Sequence, residues 1–179
     1  MKQSIAQAFR FCPRCGSESL TIGEAPFRCE QCDFTFFFGP VSAVGGLVPD
    51  EEGRLLLLRR GREPGKGKFG LPGGFVDAGE SAEEALRREL DEEVGLEIAE
   101  CELLVTFPNQ YTYKGFTAPV LDLFYVCQLA VPAAPSPDED EVQSAAWLDC
   151  DDETLDHMAF ESNRLAIELF LKRMLRKNA

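Results

Sequence analysis

Apolar and polar positions along the chain fall into two rhythms, one of helices and one of strands. In 82–94 the apolar residues Ala82, Leu86, Leu90 and Val94 recur once per helical turn, which predicts a helix with a single buried stripe. Ser81 with Glu84 three residues later forms a capping-box sequence at its start, and Gly95 stands where the residue after a helix needs positive φ. A second helix is predicted over 161–177, with Leu165 and Leu169 on its apolar face and Lys172, Arg173, Arg176 and Lys177 suiting its last turns. Strands are predicted over 41–48, 54–59, 101–107, 121–129 and 142–148, and the continuous leucines of 54–59 indicate burial on both faces. Between them, 49–53, the Gly-, Lys- and Arg-rich 60–70, the aromatic 108–116 and the Ala/Pro-rich 131–137 read as turns and loops.

Composition narrows the class. With 179 residues, 45% of them hydrophobic, there is room for one ordinary domain and a small accessory one. No apolar run approaches a membrane span and the N-terminus MKQSIAQAFRF has no signal-peptide core, so a cytoplasmic protein without a membrane partner is the expectation. A formal net charge of −13 argues against general binding to nucleic-acid backbones. An acidic protein can still take an anionic substrate when divalent cations neutralise its site.

Residues 1–38 read as a separate module. Cys12-Pro13-Arg14-Cys15 and Cys29-Glu30-Gln31-Cys32 are two CxxC knuckles separated by residues 16–28, the arrangement of a zinc ribbon with four thiolate ligands. So short a segment has little core, and Zn²⁺ is the expected staple, with no coordination position left for catalysis. Disulfides are the competing reading, which a reducing compartment disfavours. Phe34, Phe36 and Phe38 form either an ordinary strand or a docking surface. Cys101, Cys127 and Cys150 have no paired spacing and read as small buried hydrophobes, and the lone His157 reads as incidental.

The charges on the first helix break local rules. Glu89, Glu92 and Glu93 stand at i, i+3 and i+4, so their carboxylates share one face. Like charges at that spacing cost a few tenths of a kcal/mol per pair, and near a helix C-terminus they also oppose the dipole. A solvated face is the usual explanation of such a triplet taken alone. The alternative is a site for Mg²⁺ or Mn²⁺, which prefer hard oxygen ligands.

The surroundings favour the second reading. Gly74, Glu80, Arg88-Glu89-Leu90, Glu92-Glu93 and Gly95-Leu96 match in residue and spacing the signature of the Nudix hydrolases, which this chain resembles. The resemblance implies an α/β protein, a Nudix α/β/α sandwich with a mixed sheet over 39–179, preceded by the ribbon. It implies hydrolysis of a diphosphate linkage through metal-activated water. Glu89 and Glu93 would be the principal Mg²⁺ or Mn²⁺ ligands, Glu92 would contribute directly or through water, and the Gly73 carbonyl would add another. Gly74 would permit the tight turn, Glu80 and Arg88 would brace the loop, and Gly95 would close the helix. Glu141, placed before the strand that bears Trp147, is similar to a glutamate that completes the metal site in related enzymes; it would bind a further metal or accept the proton of the attacking water, with Glu139 in reserve.

Substrate choice is less legible. Arg59, Arg60, Arg62, Lys66 and Lys68 make the approach to the signature basic, suiting either phosphates or a solvated turn. Phe107, Tyr111, Tyr113 and Phe116 are candidates for base stacking or for plain packing. Arg59, Lys68, Tyr111 and Tyr113 are taken as substrate-binding candidates. A ribbon followed by this domain resembles the NADH pyrophosphatase branch, but that branch's SQPWPFPxS signature is absent. The expected substrate is a small nucleoside diphosphate derivative, ADP-ribose or a nucleotide sugar first and NADH second. A non-catalytic nucleotide-sensing module, with the ribbon as a partner-binding element, is the alternative from another class. An RNA-cap-like substrate is disfavoured by the four-to-four balance of basic and acidic residues in 1–38. The ribbon equally suits folding, recognition or homodimerisation.

Overall fold

The computed structural model describes residues 3–177; the outer ends of both expected domains, 1–2 and 178–179, lie outside the described residues, as does the Lys177 side chain. The order of elements is β1 (Gln3–Ser4), a 3-10 turn (Ile5–Ala8), β2 (Phe27–Arg28), β3 (Thr35–Phe36), β4 (Val41–Leu47), β5 (Leu55–Arg60), β6 (Phe69–Gly70) and α1 (Ala82–Val94). There follow β7 (Ile98–Tyr113), β8 (Phe116–Leu129), β9 (Val142–Leu148), α2 (Asp152–Asp156) and α3 (Glu161–Lys177). In one sheet β8 lies between β1 and β4 and also pairs with β7; in a second, β5 lies between β6 and β9; β2 and β3 form a ribbon of their own. Parallel pairing of β1 with β8 beside antiparallel pairing of β5 with β6 and β9 makes the strand set mixed.

The leucine run of β5 explains the layering. Successive side chains of a strand face opposite ways. Leu56 and Leu58 enter a core with Val44, Cys127 and the α1 residues Ala85, Leu86, Leu90 and Val94. Leu55 and Leu57 enter the opposite core with Leu47, Phe124, Ile167 and Phe170. Each fully buried leucine contributes roughly 1.5–3 kcal/mol, so β5 commits to helices on both faces. This is an α/β/α sandwich. The α1 ends behave as their sequence predicts: the Glu84 amide donates to Ser81 Oγ (3.2 Å), the Ser81 amide donates to the Glu84 carboxylate (2.7 Å), and Gly95 sits at φ 65°.

Three expectations need correction. The segment 108–116 is strand apart from a tight turn at Lys114 (φ 46°) and Gly115 (φ 89°), because a proline at 108 does not stop the hairpin. α3 turns a different face inward: Ala166, Ile167 and Phe170 are buried, whereas Leu165 and Leu169 are each 38% exposed. The polar contacts explain that rotation, since the buried Ser162 hydroxyl donates to the buried Asp122 carboxylate (2.5 Å), which also accepts from Asn109 (2.9 Å). β6 arises where loop was expected, and α2 follows β9 with Asp151 as its N-cap, whose carboxylate accepts from the Thr154 amide (2.8 Å).

Two compact units emerge. One comprises the chain up to Val41 with the hairpin tip Gln110–Val120; the other comprises Ser42–Asn109 and the chain from Leu121 onward. In the first, β1 joins the tip opposite Phe116 and Thr117, and Phe9, Phe34 and Phe38 pack around Phe27 and the cysteines. The expected boundary after residue 38 remains a proposal, and the tip groups with the N-terminal unit. Among the described residues no helix is long and apolar enough to cross a membrane.

Candidate functional site

Backbone pairing sets the loop that faces α1. Gly46 donates to Pro72 O (2.8 Å), Val44 to Gly74 O (2.8 Å) and Val76 to Ser42 O (3.0 Å), so 72–76 runs as a short extension beside β4. This close pairing requires glycine. Gly73 has φ 141°, and a Cβ there would strike Val44 O; a Cβ on Gly74 would overlap the Glu89 carboxylate. The two sites therefore differ in what they protect, backbone at Gly73 and a functional side chain at Gly74. Gly74→Ala is expected to leave the melting temperature nearly unchanged, because the Glu89 terminus can move, while abolishing most turnover. Parallel thermal melts and rate assays check this.

Arg88 ties the loop to the helix. Its guanidinium donates to both Glu80 oxygens (2.7 and 3.2 Å) and to Phe75 O (3.1 Å) on the loop. It also donates to Glu89 Oε1 (2.8 Å) and Glu92 Oε2 (3.0 Å) on its own helix. The Arg88 hydrogen bonds hold the Glu80 carboxyl below its ordinary pKa. Arg88 is thus placed as a brace, and it also orients two of the candidate ligands.

The segment 136–142 supplies the remaining carboxylates. Ser136 donates to Val94 O (2.8 Å) and Asp138 to Glu93 O (3.0 Å), taking up carbonyls that the end of α1 leaves open. Glu141 then turns back onto Asp138 O (3.0 Å). Arg88, Glu89, Glu92, Glu93, Asp138 and Glu141 line one cleft of about 350 Å³. Asp138 was not anticipated there, and only the pairing of its amide with the helix end reveals it. Glu139 is absent from the lining.

The electrostatics of the cleft are unfavourable without a cation. Burial raises the Glu93 carboxyl to about 8, against the Gly73 amide that donates to it (2.8 Å) and with help from Glu89 and Glu141. Burial likewise raises Glu89, against Arg88. Buried oxygens that resist ionisation together are what a divalent cation relieves. The donor set is all hard oxygen, which fits Mg²⁺ or Mn²⁺. Among the described residues only the four cysteine sulfurs gather within 4.8 Å of one another. Mg²⁺ keeps several waters of its own and so needs only a few direct protein oxygens.

The cysteine cluster is geometrically tighter. Cys12 and Cys32 Sγ are 3.7 Å apart, and Cys15 and Cys29 Sγ 3.6 Å. Tetrahedral Zn–S bonds of about 2.3 Å imply sulfur separations of about 3.8 Å, whereas a disulfide bond is about 2.05 Å. All four are free thiols. The Ser17 hydroxyl, 3.1 Å from Cys15 Sγ and 3.2 Å from Cys29 Sγ, lowers both thiols and takes Cys29 to about 6. The cluster is compatible with zinc.

The substrate-binding candidates fall in both units. The Arg59 guanidinium donates to Gly67 O (2.8 Å) and lies 4.8 Å from the Phe69 ring centre, while Lys68 is exposed. Tyr111 and Tyr113 belong to the hairpin tip in the N-terminal unit. His157 follows α2 and bonds Glu153 O through Nδ1 (2.8 Å), a local helix-end contact.

Known proteins place this geometry in a family. The NUDIX domain model matches residues 39–170. The chain is 44% identical over 63 residues to an ADP-ribose pyrophosphatase of Methanocaldococcus jannaschii, covering 35% of this chain and 37% of that protein. It is 33% identical over 147 residues to the NAD-capped RNA hydrolase NudC of Pseudomonas aeruginosa, covering 79% of this chain and 48% of the relative. The chain therefore spans about half or less of the length of these curated relatives. The MutT NUDIX hydrolase of Burkholderia pseudomallei superimposes with a TM-score of 0.61 at 28% identity, over 73% of this chain and 98% of that one. With a domain match over most of its length, and with a glycine loop facing a capped helix that carries the glutamates, the chain belongs to the NUDIX family.

Proposed function

We propose that this chain is a divalent-cation-dependent pyrophosphohydrolase that cleaves the diphosphate of a nucleoside diphosphate derivative, with ADP-ribose or a nucleotide sugar ahead of NADH. The observation that carries the reading is the cleft in which Glu89, Glu92, Glu93 and Glu141 meet below the glycine loop. The relatives named for ADP-ribose and for NAD-capped RNA support a substrate in which an adenosine diphosphate is joined to another group. When bound by these glutamates and the Gly73 carbonyl, Mg²⁺ or Mn²⁺ would acidify water and offset charge on the bridging oxygen.

The chain's own residues have divided tasks. The Gly73 amide holds one Glu93 oxygen, so that carboxylate enters the cleft in one orientation. Arg88 aims Glu89 and Glu92 while its other nitrogens keep the Glu80 loop in place. The Glu141 side chain is 44% exposed, against 15% for Glu89, and so is the better placed of the two to pass a proton from the attacking water to solvent. Zn²⁺ at Cys12, Cys15, Cys29 and Cys32 would be structural, and the exclusion of solvent from Cys12 and Cys29 supports that role.

The test is a hydrolysis screen with added Mg²⁺ or Mn²⁺ over ADP-ribose, NADH, nucleotide sugars, dinucleoside polyphosphates, coenzyme A and nucleoside triphosphates, with products resolved by chromatography. Metal-dependent cleavage of ADP-ribose or a nucleotide sugar is the expected result. Saturable nucleotide binding without cleavage of any of them would replace the enzyme reading by the sensing module.

A further inference from the structure

We infer that Arg62 is a positioning residue for Glu141, aiming its carboxylate into the cleft through a grip on both the side chain and the backbone of the 140–141 turn. The inference rests on the proposed role of Glu141 as a metal ligand or base.

Glu141 starts from a weak position. It precedes β9, outside the sheet, and its side chain is 44% exposed, so neither helix packing nor burial limits its rotamers. Its partners come from the end of β5. The β5–β9 register shifts between Arg59 and Arg60, so that Arg59 faces Ser144 and Arg60 faces Val142. An irregularity of this kind re-aims the residues beyond it. Immediately past it, the Gly61 amide donates to Glu141 O (2.7 Å), and a Cβ at Gly61 would lie 2.6 Å from that same oxygen. Only glycine lets the two backbones approach so closely.

Arg62 completes the hold. Its Nε donates to Asp140 O (3.0 Å) and its Nη1 to Glu141 Oε1 (2.7 Å). A planar guanidinium with two bonds in different directions fixes the carboxylate relative to its own backbone, which a lysine ammonium does not do. Glu141 at the same time lines the cleft with Glu89, Glu92 and Glu93. From the other side, the Asp138 amide on Glu93 O ties the same turn to α1. Arg62 and α1 thus set the distance between Glu141 and the glutamate ladder.

An exposed ion pair contributes little to stability. The expected consequence is therefore in metal affinity and not in folding. In zinc-loaded, full-length protein freed of other divalent ions, titration with Mn²⁺ alone should show Arg62→Ala binding roughly tenfold or more weakly, the scale set by loss of an outer partner of a ligand. Arg62→Lys, which keeps the charge and loses the fork, should recover only part of that loss. In a Glu141→Gln background, Arg62→Ala should have little further effect. During turnover, the Mn²⁺ concentration giving half-maximal rate should rise in Arg62→Ala while KM at saturating Mn²⁺ stays the same.

Unchanged or tighter Mn²⁺ binding in Arg62→Ala would overturn the inference, as would an equal loss in the Glu141→Gln background. A raised KM at saturating metal would instead make Arg62 a substrate phosphate contact and also overturn it. Because Mn²⁺ binding is read without turnover, the result stands apart from the hydrolysis screen. A protein that binds Mn²⁺ as described but cleaves nothing would sink the enzyme reading alone.

Discussion

Glu93→Gln is expected to lower turnover by well over the roughly hundredfold that loss of an outer partner costs a metal site. Glutamine keeps the size of the side chain and its carbonyl can still accept from the Gly73 amide, so the loop and helix stay joined. What is lost is the charge that a cation requires. Burial makes that charge costly in the metal-free protein, in which the Glu93 carboxyl titrates at about 8 instead of its ordinary 4.5. The folded state therefore retains a proton that the unfolded chain releases between about pH 4.5 and 8. Stability of the metal-free protein is complete below that window on account of this group and falls as pH rises through it. Glu89, shifted upward for the same reason, adds to the slope.

Denaturant melts across that pH range test the account. Metal-free wild type should weaken toward pH 8, Glu93→Gln should show a flatter profile, and added Mg²⁺ should restore wild type but not the variant. Full turnover in a folded Glu93→Gln protein would remove Glu93 from the proposed chemistry. A wild type that instead loses stability as pH falls, beside a flat Glu93→Gln profile, would show that the Glu93 carboxylate is a structural partner.

The second large effect belongs to the cysteine cluster. Replacing Cys29 by Ser is expected to remove bound Zn²⁺ and to unfold the N-terminal unit locally. Its core among the described residues is Cys12, Phe27 and Cys29, with Phe9, Cys32, Phe34 and Phe38 packed around them, and two of those buried side chains belong to the proposed zinc set. So little apolar area does not offset the entropy of ordering the segment, so in the proposed zinc-bound protein the metal would supply much of its folding free energy. Metal analysis should find one Zn²⁺ per chain in wild type and almost none in Cys29→Ser. Hydrogen exchange should accelerate over the ribbon and over Gln110–Val120, because β1 pairs with that tip at Phe116 and Thr117. Unchanged protection after removal of zinc would mean that the aromatic cluster alone holds the unit together.

Local rules made the helix and its charges readable in one dimension. Ser81, Glu84 and Gly95 mark the ends of α1 through hydrogen bonds between near neighbours, and Glu89, Glu92 and Glu93 share a face because helical spacing places them there. The CxxC pairs are similarly local. The double-sided burial of β5 follows from the absence of polar positions in its leucine run. Where a decision depended on a distant partner, pattern was insufficient. Leu165 and Leu169 are as apolar as the residues that α3 buries, but the Ser162–Asp122 contact, 40 positions apart in the chain, sets which face turns inward.

The same distinction runs through the site. Residue types and spacing in 73–96 determine the candidate glutamate ladder, the brace and the family, since each depends on contacts within one loop and one helix. The resemblance already points to Glu141, but only the tertiary structure adds Asp138, through an amide that satisfies an open carbonyl at the end of α1, and only it sets Gly61 and Arg62 against Glu141 from about 80 positions away. Hydrogen bonds between segments so far apart leave no period in the sequence. They are decided by how two sheets and the helices packed on them close, and that closure turns a row of glutamates into a cleft.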